Sequence, residues 1–147
     1  LAHFLGSLSK QPKEFIVHLD VDIDFETYDR NMIIVGGPIT NLLAHQVNRH
    51  LPARFSDNEP WGIRSKKIYT EDSTGIIARV AHPHFPSRQA LVLAGVRVTG
   101  TKAAVMALTR YKQLTLKRFS GQKAFAAIVQ GFDLDGDGRI DDIELLE

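Results

Sequence analysis

Two stretches of this sequence repeat one pattern, in which an apolar run, a glycine break and a segment with helical spacing follow each other. The first stretch covers residues 33–41 and the second covers residues 91–100. Residues 90–96 are apolar without alternation, as expected of a strand that is buried on both faces inside a parallel sheet. Strands that alternate with helices indicate βα units. We therefore predict an α/β fold with a mostly parallel central sheet and two main helices.

The remaining patterns supply the other elements of this fold. We predict helices over residues 39–51 and 99–112, an inserted β-hairpin over residues 63–80, and strands over residues 15–25, 32–35, 90–96 and 124–132. The spacing in residues 124–132 also fits a helix, and strand is favoured because a sheet of two βα units needs another strand there. The 147 residues suit a single domain. Because the chain starts with Leu1 rather than Met, we expect residues 1–13 to be a short helix or the tail of an upstream segment.

Residues 133–144 carry oxygen ligands at the spacing of a twelve-residue calcium loop. Carboxylates stand at loop positions 1, 3, 5, 9 and 12, glycine stands at position 6 where the chain must turn sharply, and position 7 contributes a backbone carbonyl. The predicted Ca²⁺ ligands are Asp133, Asp135, Asp137, the Arg139 carbonyl, Asp141 and Glu144. Six acidic side chains in twelve residues repel each other unless a cation lies between them. The predicted cofactor is therefore Ca²⁺.

The calcium loop resembles EF-hand and dockerin-type loops, and the resemblance is confined to these residues. A calcium sensor needs a helix on each side of the loop and a bistable helix pair. The chain ends three residues after Glu144, which leaves no room for an exiting helix, and the nearest second copy, residues 20–25, has Phe25 where glycine is required. We therefore expect a structural clamp at the end of the domain rather than a switch.

The two glycine turns are the second candidate site. If their strands are parallel neighbours, both helix N-termini open at one edge of the sheet, where α/β proteins bind ligands and where free N–H groups favour anions. The candidate residues for a ligand bearing phosphate or carboxylate are Gly36, Gly37, Thr40, Asn41, Arg97, Thr99, Gly100 and Lys102. The same residues also fit a purely structural role, because glycine permits tight turns and Thr or Asn caps helices. Both interpretations stay open from sequence.

Composition excludes several classes of function. The chain has no cysteine, so disulfides, thiol catalysis and Cys-zinc sites are absent. The net charge is +1, and residues 133–147 contain seven acidic residues and one arginine, so the rest is only mildly basic. This charge argues against nucleic acid as a partner. No apolar run in the sequence is long enough to span a membrane.

Catalytic signatures are weak. There is no GxSxG motif, and nothing in the sequence pairs Asp57, Glu59 or Asp72 as acid and base. His82 and His84 flank a proline but lack a third metal ligand at a telling spacing. The sequence leaves enzymatic activity uncertain and leans against it.

Three stretches together resemble archaeal S-layer-type cell-surface domains: NMIIVGGPITN, ALVLAGVRVTGTKAAVMALTRY and the C-terminal GFDLDGDGRIDDIELLE. The resemblance implies an extracellular, non-enzymatic domain that associates with itself or with other surface proteins. The GGP…N turn also resembles small-ligand α/β domains of regulatory proteins, which implies a cytoplasmic, ligand-binding alternative.

Overall fold

The structure is a computed structural model that describes Leu1, Phe4, Gly6 and residues 16–147. The tail or helix predicted for residues 1–13 therefore lies largely outside the described residues. In chain order the described elements are a 3-10 turn (Asp20–Asp22), β1 (Met32–Val35), α1 (Leu42–Asn48), β2 (Arg54–Phe55), β3 (Ile63–Arg64), β4 (Ile68–Tyr69), β5 (Thr74–Ala81), β6 (Gln89–Gly95), α2 (Val98–Arg110), α3 (Lys112–Thr115), β7 (Phe125–Phe132) and β8 (Asp142–Leu145).

The predicted fold class, α/β with a mostly parallel central sheet, is wrong because most strands of the main sheet run antiparallel. The main sheet has five strands in the order β1-β6-β5-β7-β8, and only β1 and β6 run parallel. Residues 82–88, which join β5 to β6, are too short for the crossover that a parallel pair requires, so these strands form an antiparallel hairpin. The residues of β6 are apolar because both faces of this strand are buried. That burial depends on the layers that cover the sheet and not on the direction of the strands.

The predicted hairpin over residues 63–80 is also wrong. Residues 63–69 fold back on themselves as β3 and β4, which form a separate three-stranded antiparallel sheet with β2. The following strand, β5, lies in the middle of the main sheet between β6 and β7. The turn at residues 65–67, where the Ser65 N–H donates to the Lys67 carbonyl at 2.9 Å, ends β3 early.

The strand predicted over residues 15–25 is absent from the described part, residues 16–25. Asp20–Asp22 form a 3-10 turn instead, and the Asp24 carboxylate accepts a hydrogen bond from the Glu26 N–H at 3.0 Å. Aspartate side chains compete with ladder hydrogen bonds in this way. Alternation of acidic and apolar residues is therefore insufficient here, because the Asp24 carboxylate bonds locally and the Asp20 carboxylate bonds to Leu42 instead of extending a sheet.

The other predicted elements are confirmed, with shorter bounds for the helices. The strand at residues 32–35, the strand at residues 90–96 and the strand interpretation of residues 124–132 correspond to β1, β6 and β7. α1 lies inside the first predicted helix, and α2 begins one residue before the second predicted helix and ends two residues before its predicted end. β7 reads as a strand because it pairs with β5 on one side and β8 on the other.

The main sheet separates two cores. One core holds α1 and the small sheet, with Val47, Phe55, Ile63 and Ile76 fully buried. The other core holds α2, with Ile77, Leu93, Ala103 and Val129. Ile76 and its neighbour Ile77 enter opposite cores because successive side chains of a strand point to opposite faces.

Candidate functional site

The predicted calcium loop lies between β7 and β8 and folds around Asp133. The Asp133 carboxylate accepts hydrogen bonds from the N–H groups of Gly136 at 2.7 Å and Gly138 at 2.8 Å. Gly136 and Gly138 have φ of +79° and +82°, a left-handed conformation that glycine adopts without steric cost. The glycine expected at loop position 6, Gly138, therefore makes the sharp turn that the motif requires.

Three carboxylates of this loop converge. Ligand oxygens of Asp133, Asp135 and Asp141 lie within 4.8 Å of one another, and all three side chains are exposed. The Asp141 carboxylate also accepts the Leu134 N–H at 2.8 Å, which ties the two ends of the loop together. Among the described residues this is the group of acids closest in geometry to a cation site.

The other predicted ligands are placed differently. The Asp137 carboxylate accepts the Arg139 N–H at 2.8 Å, and its second oxygen lies 3.5 Å from Arg139 Nε. Glu144 lies in β8 opposite Gln130 of β7, so the last loop position belongs to a strand rather than to a helix. Neither carboxylate belongs to the convergent group in the described residues.

Backbone donors favour the charged form of the central acid. The Gly138 N–H is the largest contribution that lowers the pKa of Asp133, and the Gly136 N–H adds to it, against partial desolvation. The loop therefore holds a carboxylate, which is the form that binds a hard cation.

The two glycine turns meet at one edge of the sheet, as parallel neighbours must. Val35 at the end of β1 is paired with Leu93 near the end of β6, and a Cβ atom on Gly37 would lie 3.2 Å from the Gly95 carbonyl oxygen. Gly36 has φ of +120°. The glycines thus allow the two backbones to approach closely.

The polar groups of the second turn are used within the fold. The Thr99 hydroxyl donates to the Asp72 carbonyl at 2.9 Å, the Gly100 N–H donates to the same carbonyl at 3.1 Å, and Arg97 Nε lies 3.5 Å from the Asp72 carboxylate. A Cβ atom on Gly100 would collide with the Thr74 carbonyl. Lys102 is exposed. These contacts join α2 to the turn before β5.

At the first glycine turn, a carboxylate of the chain itself lies at the N-terminus of α1. The Asp20 carboxylate accepts the Leu42 N–H at 2.6 Å, and the Asn41 side chain caps the Ala44 N–H at 2.9 Å. Thr40 donates to the Gly37 carbonyl at 3.4 Å. Sequence reasoning missed the role of Asp20, because its bond to Leu42 spans 22 residues and local spacing carries no signal for it.

His82 is buried at the turn after β5, where it packs against Phe25 with ring centroids 4.5 Å apart. His82 Nδ1 accepts hydrogen bonds from the N–H groups of His84 at 3.2 Å and Phe85 at 3.3 Å. The neutral ring therefore carries its proton on Nε2, which has no described partner. Neither nitrogen is free to bind a metal, so His82 is a structural residue of this turn.

An open groove of about 530 Å³ lies beside the edge strand β8. Lys117 and Arg118 bring positive charge to it, and Glu144 brings negative charge. The groove is lined by Leu114, Lys117, Arg118, Ile143, Glu144 and Leu145.

The outer domain of the S-layer like family matches residues 8–112, which is more than half of the chain. The chain belongs to this family. The matched region contains both glycine turns and ends before the predicted calcium loop. No curated protein and no solved structure matches the chain.

Among the described residues, every helix is too short or too polar to cross a bilayer.

Proposed function

We propose that this chain is a calcium-stabilised, non-enzymatic structural domain of a cell-surface layer. Membership of the S-layer like family supports the surface role. Such a domain associates with further copies or with other surface proteins. The observation that carries the calcium part is the convergence of Asp133, Asp135 and Asp141 in a loop whose glycines adopt the turn of the motif.

Calcium in this proposal acts as a clamp. The loop joins β7, which is paired on both sides, to the edge strand β8. Neutralising three close carboxylates removes their mutual repulsion and holds the start of β8 in place. The exposed site suits the weak affinity of extracellular calcium modules, with a Kd of about 10⁻⁴–10⁻³ M. Asp137, the Arg139 carbonyl and Glu144 remain predicted ligands.

The first prediction is that chelation lowers the melting temperature. Calcium at about 100 times Kd adds about 2.7 kcal/mol of stability if it binds only the native state. The measurement is a thermal melt in excess EGTA and in a calcium titration. An unchanged melting temperature in EGTA would contradict the proposal that calcium clamps the loop.

The variant that tests the site is Asp133→Asn, which removes the charge and keeps an acceptor oxygen for only one of the Gly136 and Gly138 N–H groups, because these donate to different carboxylate oxygens. We expect it to lose most of the calcium-dependent shift. Asp57→Asn is the matched control, because Asp57 is an exposed acid that forms no hydrogen bond or ion pair with the described residues. An equal loss of the shift in both variants would assign the effect to general charge screening.

The ligand-binding alternative at Gly36–Asn41 and Arg97–Lys102 is tested by a thermal-shift screen with nucleotides and small anions. The internal bonds of Asp20 and Asp72 at these turns favour a flat screen. A shift that Arg97→Ala abolishes would favour the ligand site instead.

A further inference from the structure

Residues 23–31, which precede β1, are fastened to the turn between β5 and β6, and we call them the strap. Phe25 is the only buried residue of the strap, and none of its residues belongs to a strand. A segment with so few buried groups can open without the rest of the fold. Its contacts with the turn are Phe25–His82 with ring centroids 4.5 Å apart, Asp29–Arg88 at 2.8 Å and Asn31–Gln89 at 2.9 Å.

The His82 ring holds this turn in a way that depends on its protonation state. Its Nδ1 accepts the N–H groups of His84 at 3.2 Å and Phe85 at 3.3 Å, so the proton of the neutral ring is on Nε2. A second proton can bind only at Nδ1, which then becomes a donor. Both backbone N–H groups would lose their acceptor, and unpaired donors beside a buried ring are costly. The charged ring is therefore incompatible with this turn.

The groups that face His82 do not compensate for this charge. Burial lowers the pKa of His82 most, His84 of the same turn lowers it further, and Asp29 of the strap raises it. The Asp29 carboxylate is already paired with Arg88. His50, which follows α1, is close enough to His84 for that histidine to lower its pKa too. The surroundings therefore reject a positive charge on His82.

We propose that the strap is an acid-released latch, in which protonation of His82 opens the turn at residues 82–89 and frees residues 23–31 while the main sheet stays folded. Phe25 belongs to the core on the α1 side of the sheet, so its release uncovers apolar surface there. Exposed apolar surface is what proteins use to associate. The latch goes beyond the proposed structural role and involves no residue of the predicted calcium loop.

The size of the effect follows from proton linkage. The ordinary pKa of a histidine is about 6.5. Because the closed turn rejects the proton and the open turn accepts it, the opening constant rises by up to about tenfold from pH 7.5 to pH 5.5.

The test is amide hydrogen exchange of the Gln89 N–H, followed by NMR at both pH values and at several low urea concentrations. Release of the strap alone exposes little surface, so we expect this opening to be independent of low urea. The Val96 N–H, which donates to the Thr74 carbonyl at 2.9 Å, reports global unfolding. Exchange at Gln89 that is as slow and as dependent on urea as at Val96 would overturn the proposal.

Two variants identify the titrating group. His82→Asn keeps a side-chain acceptor for the turn but does not titrate, so the tenfold change at Gln89 should disappear. His45→Asn, at an exposed position of α1, is the matched control and should retain the change. The same response in both variants would overturn the proposal. If His82→Asn does not fold, the comparison of Gln89 with Val96 in the wild type still decides.

Discussion

At the scale of residues, long-range hydrogen bonds decide which polar groups are free. Asp20 and Asp72 each bond to the start of a helix whose N-terminus looked available for an anion. Those bonds cross 22 and 27 residues of sequence. The helix ends are thus occupied by the chain, and the acidic loop at 133–141 keeps the group of converging charges.

The buried His82 side chain is expected to make the stability of the fold depend on pH. Burial is the main cause that lowers its pKa, the nearby His84 adds to it, and Asp29 opposes it. The folded state disfavours the proton, so the unfolded chain binds more protons below its ordinary pKa of about 6.5. Stability conferred by neutral His82 is therefore present above that pH and falls as the pH is lowered, by at most about 1.4 kcal/mol per pH unit.

The measurement is urea unfolding between pH 5 and 8 for the wild type and His82→Asn. The asparagine oxygen can accept the same backbone N–H groups but does not titrate. We expect a smaller slope in the variant. A residual slope from His50, whose pKa is lowered by burial, by Arg49 and by His84, should remain in both. Identical slopes would exclude His82 as the sensor.

At the scale of elements, glycines set how closely α2 lies on the sheet. A Cβ atom on Gly75 would collide with the Gly100 carbonyl, and one on Gly95 with the N-terminal backbone of α2. Helix and strand backbones are therefore in direct contact at this point. The glycines serve close packing here, and an unoccupied phosphate cradle is not needed to explain them.

Gly100→Ala is predicted to destabilise the fold by about 1–3 kcal/mol through overpacking. Alanine would otherwise favour a helix by about 1 kcal/mol over glycine, so the sign of the change identifies the cause. Urea unfolding measures it, and Thr101→Ala, at a half-buried position of the same helix, is the control with little expected effect. A stabilised Gly100→Ala protein would show that α2 can shift away from the strands.

At the scale of the whole molecule, one sheet supports both cores. Adjacent residues of β5 serve opposite sides, and β7 continues the sheet beyond the region that the family match covers. Unfolding of the sheet on the side of one core would therefore expose the apolar residues of the other core. The single domain expected from sequence for residues 1–147 stays a prediction, which the shared sheet supports.

This interpretation predicts one cooperative unfolding transition. Trp61 is the only tryptophan and stacks on Phe55 of the small sheet with ring centroids 5.5 Å apart. Its fluorescence therefore reports the small sheet, while far-UV circular dichroism reports the main sheet and helices. We expect both signals to give the same urea midpoint. Two separated midpoints would divide the chain into two domains.

Local patterns by themselves determined the short-range features of this protein. The apolar runs of β1 and β6, the two helices that follow the glycine turns, and the left-handed Gly138 of the acidic loop were predictable, because neighbouring residues decide them. The spacing in residues 124–132 fitted both strand and helix, and pairing with β5 and β8 decided β7. The family likeness was also readable from the GGP turn and the second apolar strand with its helix.

Only the tertiary structure decided strand direction, the place of β5 and the partners of Asp20 and Asp72. Burial on both faces makes a strand apolar whether its neighbours are parallel or antiparallel, so composition cannot distinguish the two. Hydrogen bonds that join residues more than twenty positions apart leave no periodic trace in the sequence. For the same reason the place of β1 at the end of the main sheet became visible only when the order of the strands was known.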